Sequence, residues 1–90
     1  MACNKNHAET DLIVKDLPIS QGSFERHKCA SCAYEKGLEN GSQRLLNFDL
    51  ESFITNLEES QRGERRHRSA IEAYTLGFFR GLNGKNNHLA

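Results

Sequence analysis

The residues with the clearest chemistry are Cys29 and Cys32, spaced Cys-x-x-Cys at the start of a predicted helix. That spacing brings two thiolates within one tetrahedral metal shell, and a helix N-terminus favours the charged sulfur. Upstream, Cys3-x3-His7 supplies two further donors, and His27 is a competing nitrogen only two residues before Cys29. A zinc site of Cys3, His7, Cys29 and Cys32 is one reading. A redox dithiol is a second, but such motifs sit in a βαβ pattern, which this chain lacks. The third is that both cysteines are small buried hydrophobes.

An upstream ligand pair followed by two ligands on the first turn of a helix resembles treble-clef zinc modules in outline, over roughly residues 3–40. The resemblance implies zinc held by those side chains. The chain departs from the family's usual pattern of four cysteines, since His7 stands in the first pair.

Basic residues form the other cluster. Arg26, His27 and Lys28, and again Arg65, Arg66, His67 and Arg68, precede two predicted helices in the same register. Cations at a helix N-terminus oppose its dipole, and an anion bound to both the free N–H groups and the side chains would resolve the conflict. Arg26, Lys28, Arg62, Arg65, Arg66 and Arg68 are therefore the candidate anion or nucleic-acid contacts. Neighbouring Glu25, Glu58, Glu59 and Glu64 offer local neutralisation instead.

The elements that must position these groups come from a pattern written twice. Arg26 to Gly41 aligns with Arg66 to Gly81 without gaps, and seven of the sixteen pairs are identical: Arg26/Arg66, His27/His67, Ala30/Ala70, Ala33/Ala73, Tyr34/Tyr74, Gly37/Gly77 and Gly41/Gly81. At a frequency of ~7% per residue type, roughly one match arises by chance. Duplication and convergence on the same packing both account for it. Each copy predicts a helix, 28–40 and 70–82, with the motif AYxxGxxxG. Ala33, Gly37 and Gly41, and Ala70, Ala73, Gly77 and Gly81, form ridges almost without side chains. Glycine costs ~1 kcal/mol in a helix interior, so Gly37 asks for a close neighbour, whereas Gly41 could serve as a left-handed C-terminal cap. The ridges suit each other within one chain or between two chains of a homodimer.

A further helix is predicted over 48–60, capped by Asn47, because Leu50, Phe53, Ile54 and Leu57 fall at i, i+3, i+4 and i+7. The run Asp11 to Leu17, rich in branched apolar residues and followed by Pro18, reads as a short strand, and Ile19 to Ser23 as a second extended piece or a loop, so one hairpin at most fits here. Residues 1–10 are expected to be a loose arm and 83–90 a disordered tail. The expected architecture is one small, mainly α domain of three principal helices with an extended N-terminal segment.

Composition bounds what such a domain does. Ninety residues with 37% hydrophobic content and a mean hydropathy of −0.70 give a marginal core that a metal or a partner would help hold. Twelve basic and twelve acidic residues cancel, which removes bulk attraction to nucleic acid but not a local patch. No apolar run is long enough to span a membrane, and no signal-peptide core is evident. With three cysteines, an odd number, a reduced cytoplasmic setting fits better than a closed disulfide framework. No HExxH, P-loop or GxGxxG is present. The sequence thus points to a non-enzymatic interaction or adaptor domain, zinc-stabilised, with a protein partner or a second copy; the alternative is a nucleic-acid-binding or regulatory protein.

Overall fold

The computed structural model describes residues 3, 5–19, 27–60 and 68–87. They form four helices: α1, Ala8–Val14; α2, Ala30–Ser42; α3, Leu50–Thr55; and α4, Ala70–Asn87. No strand occurs among the described residues, only the isolated antiparallel bridges Ile19–Arg68 and Lys28–Glu59.

The expected N-terminal strand or hairpin is therefore corrected to a helix. A strand would have sent Leu12 and Val14 to one face and Ile13 to the other. In α1 Val14 is fully buried and Leu12 is exposed, while His7, Asp11 and Val14, at i, i+4 and i+7, turn inward together. Asp11 accepts a 2.5 Å hydrogen bond from the Ser31 hydroxyl of α2. The apolar run has strand propensity, but burying His7, Asp11 and Val14 on one side requires the helical period. The early residues expected as a loose arm include the buried Cys3 and His7, and α4 continues through 83–87 where a tail is expected.

The helix expected over 48–60 is shorter, with Asp49 rather than Asn47 as its cap; the Asp49 carboxylate accepts from Ser52 N. Its stripe packs as read, with Ile54 fully buried and Leu50, Phe53 and Leu57 partly so. Ser69 caps α4, its hydroxyl accepting from Glu72 N at 3.1 Å.

The centre of the molecule is the α2–α4 pair, packed ridge to ridge within the chain. Ala30, Ala33, Ala70 and Ala73 are fully buried, and Tyr34 and Tyr74 flank them. A methyl group at Gly37 would overlap the Tyr74 carbonyl oxygen and lie 2.9 Å from Phe78 N; one at Gly77 would overlap the Tyr34 carbonyl and lie 3.0 Å from Leu38 N. The backbones touch, and this contact offsets the helical cost of both glycines. Gly41 is not the terminator of α2. It lies inside the helix against Phe78, and the stop falls at Arg44, φ 57°. Arg44 N donates to Gly41 O and Leu45 N to Asn40 O, the paired bonds of a Schellman cap, with arginine where glycine is usual.

The contacts joining the two halves are reciprocal. Lys28 Nζ donates to Leu57 O and Arg68 Nη1 to Leu17 O. Cys29 N donates to Glu58 O and Ser69 N to Pro18 O. Asn40 Nδ2 donates to the Tyr74 hydroxyl and Arg80 Nη1 to that of Tyr34. In each pair the second bond is the first with its residue numbers moved by forty in opposite directions, and the bridges Ile19–Arg68 and Lys28–Glu59 obey the same rule.

Candidate metal centre

Two helix starts build the site. Cys29 is the N-cap of α2, extended at ψ 104°, and its Sγ accepts from Cys32 N at 3.4 Å. This satisfies one of the four N–H groups a helix leaves open and turns Cys29 and Cys32 toward the same point. His7 is the N-cap of α1, but its ring makes no capping bond; Asn6 Oδ1 accepts from Ala8 N instead. The imidazole is thereby released to face the thiols. Cys3 reaches the group because its N–H donates to Glu59 O at 2.6 Å.

The donor atoms of Cys3, His7, Cys29 and Cys32 all lie within 4.8 Å of one another. Cys3 Sγ is 3.6 Å from His7 Nε2 and 3.6 Å from Cys32 Sγ, and Cys32 Sγ is 3.4 Å from His7 Nε2. Tetrahedral zinc, with Zn–S of about 2.3 Å and Zn–N of about 2.0–2.1 Å, requires S···S edges of about 3.8 Å and S···N edges of about 3.6 Å. These three edges lie close to those values. A largely buried three-cysteine, one-histidine group thus has the donor set of a zinc site, with tetrahedral spacing among Cys3, His7 and Cys32 and with Cys29 Sγ within 4.8 Å of the other donors.

The surroundings orient the histidine. His7 Nδ1 lies 2.7 Å from the Glu35 carboxylate, and that acceptor holds the ring proton on Nδ1, leaving the Nε2 lone pair toward the sulfurs. Thr10 Oγ1 steadies the same Glu35 oxygen at 2.9 Å. Carboxylate–histidine pairing of this kind sets the tautomer and raises ligand basicity at metal sites. Glu35→Gln keeps the shape and removes the charge; metal affinity should fall about 10- to 100-fold while metal stoichiometry is retained, as competition with a chromophoric chelator would show.

The thiols also oppose one another electrically. The Cys32 thiol is pushed far above the ordinary range, first by its hydrogen bond with Cys29, then by burial and by the nearby Cys29 and Cys3. A cation among the sulfurs would offset the causes that keep Cys32 protonated.

His27, the competing ligand, stands outside the group; its carbonyl accepts from Ser60 N at 3.1 Å. Of the candidate anion contacts, Lys28 and Arg68 place their charged heads on the Leu57 and Leu17 carbonyls. Arg26, Arg62, Arg65 and Arg66 lie outside the described residues. Glu35 was not singled out from sequence. Its sole signal is one more acidic residue on the exposed face of a helix, which does not distinguish it from Glu39.

No protein family, curated protein or solved structure significantly matches this chain. No helix among the described residues is long and apolar enough to cross a membrane.

Proposed function

We propose that the protein is a non-enzymatic interaction module whose small helical fold is stabilised by one zinc ion on Cys3, His7, Cys29 and Cys32. The observation that carries this reading is the convergence of four protein donors within 4.8 Å of one another, with the edges among Cys3, His7 and Cys32 near tetrahedral lengths. Four protein ligands fill a tetrahedral shell, and closed shells belong to structural zinc, whereas catalytic zinc keeps a position for water or substrate. Cys3, His7 and Cys29 are also buried, so the group is poorly placed to meet a substrate.

The interaction role is supported by apolar surface that the core does not use. Leu12, Ile19, Leu46 and Phe79 are each more than half exposed. An open groove beside Leu45 is lined by Phe48, Phe53 and Leu57. Apolar surface shared by several neighbouring side chains, as in that groove, is the kind that marks contact sites.

Cobalt titration of the reduced chain tests the metal reading. One equivalent should give the intense visible bands of tetrahedral Co²⁺ with a thiolate charge-transfer band, and zinc should bleach them stoichiometrically. Because free thiols are mostly protonated at pH 7 and Cys32 is held so more firmly, binding should release about three protons, and affinity should rise with pH. Octahedral, pale spectra without proton release would rule out the thiolate site. Robust catalytic turnover by the purified chain would overturn the non-enzymatic part.

A further inference from the structure

We propose that residues 8–42 and 48–82 are two fused copies of one self-pairing unit, and that two chains exchange these halves to form a dimer.

The first support is the reciprocity of the contacts. The sequence match covers only Arg26 to Gly41 and Arg66 to Gly81, but the structural correspondence extends upstream. Val14 and Ile54 are the fully buried apolar residues of α1 and α3, and Leu17 N→Val14 O matches Leu57 N→Ile54 O, both 3.0 Å. Residue i of one half meets j of the other, and the counterpart of j meets the counterpart of i. That is the rule of an isologous interface, the kind a two-fold homodimer uses. Convergent packing of two helices accounts for glycines and alanines on the ridge. It does not account for paired bonds at Lys28/Arg68, Cys29/Ser69 and Asn40/Arg80 across loops, caps and helix ends alike.

The second support is the hinge. The halves are joined through Gln43, Arg44, Leu45, Leu46 and Asn47, all exposed, and Leu46 is 81% exposed. The reversal depends on Arg44 at φ 57°, a conformation that non-glycine residues rarely adopt. With Arg44 in the ordinary helical region, α2 would continue through Leu45 and Leu46 and carry the second half away from the first. Its α4 would then pack on the α2 of a second copy, reproducing each reciprocal bond between chains. Closed and exchanged forms share the same contacts, so the hinge and the protein concentration set the balance between them.

The inference is independent of the zinc reading, because Cys3, His7, Cys29 and Cys32 all lie on the same side of the hinge. Light scattering behind size-exclusion chromatography, on the full chain with metal present, tests it. Wild type should show a dimer that grows with concentration. Arg44→Gly relieves the hinge and should favour the monomer; Arg44→Val makes the closed hinge worse and should favour the dimer. Each hinge is worth about fivefold, and a dimer opens two, so the dissociation constant should move roughly 25-fold, in opposite directions for the two variants. A wild-type chain that is monomeric at every soluble concentration overturns the proposal. So does a dimer whose dissociation constant ignores Arg44→Gly, since chains meeting face to face would not open the hinge. If Arg44→Val fails to fold, the wild type and the glycine variant decide alone.

Discussion

Stripping zinc from the loaded chain with a strong chelator should abolish most of its helical circular dichroism, and returning one equivalent should restore it. The expectation follows from scale. A domain of this size is held by about 5–15 kcal/mol at best, and structural zinc supplies an apparent 10–16 kcal/mol at neutral pH in small metal-dependent domains. The core is short of large apolar residues: its fully buried members are Val14, Ile54, Cys29 and the ridge alanines. The candidate ligands also tie distant parts together. Cys3 and His7 belong to the segment entering α1, Cys29 and Cys32 to the first turn of α2. Through Cys3 N→Glu59 O and Cys29 N→Glu58 O the same residues hold the strand-like turn after α3. Loss of the proposed ion would leave three crowded thiols beside an oriented imidazole, and the N-terminal segment should detach first. A Cys29→Ser, Cys32→Ser chain should be as unfolded as the chelated one, with no recovery on adding zinc. Unchanged helicity and melting temperature in metal-free protein would instead make both cysteines packing residues and leave the helix ridge as the main support of the fold.

Replacing Gly37 or Gly77 by alanine should destabilise the protein by about 3 kcal/mol or more, although alanine is the better helix former by ~1 kcal/mol. The added methyl meets backbone, Tyr74 O and Phe78 N in one case and Tyr34 O and Leu38 N in the other, and backbone has no rotamer to change. Relief comes only from parting α2 and α4, which loosens the alanine contacts on the same ridge and stretches Asn40–Tyr74 and Arg80–Tyr34. The double variant should cost less than the sum of the two, because the first methyl already forces the separation that the second needs. Gly84→Ala is the control. A methyl there meets nothing within 4 Å, so it should stabilise by about 0.5–1 kcal/mol. Urea unfolding of the zinc-loaded variants would check all four, and a Gly37→Ala chain as stable as wild type would disprove the close backbone packing.

How much of this was legible in the chain depends on how local each determinant is. The spacing of Cys29 and Cys32 and the side chains of Cys3 and His7 identify a candidate ligand set because the relation is one of residue type and interval. The glycine and alanine ridges are legible for the same reason: a helix interior that accepts glycine needs a neighbour close by. Ser69 as a cap and the Leu50, Phe53, Ile54, Leu57 stripe are likewise set within one turn or two of helix.

Tertiary structure decided the rest, wherever two local rules compete or a partner lies far along the chain. Leu12-Ile13-Val14 has strand propensity, but one inward face for His7, Asp11 and Val14 required a helix. Gly41 had the chemistry of a terminator, yet the approach of Phe78 used it as packing and moved the stop to Arg44, where the backbone accepts a left-handed residue without glycine. Glu35 became the partner of His7 only when α1 lay against α2, since an acidic residue on an exposed helix face carries no local mark of its role. Sequence by itself determined which side chains can share a metal and which helix faces can touch. The long-range pairing of the two halves decided which of them do, because burial and backbone contact are properties of the assembled chain rather than of any one segment.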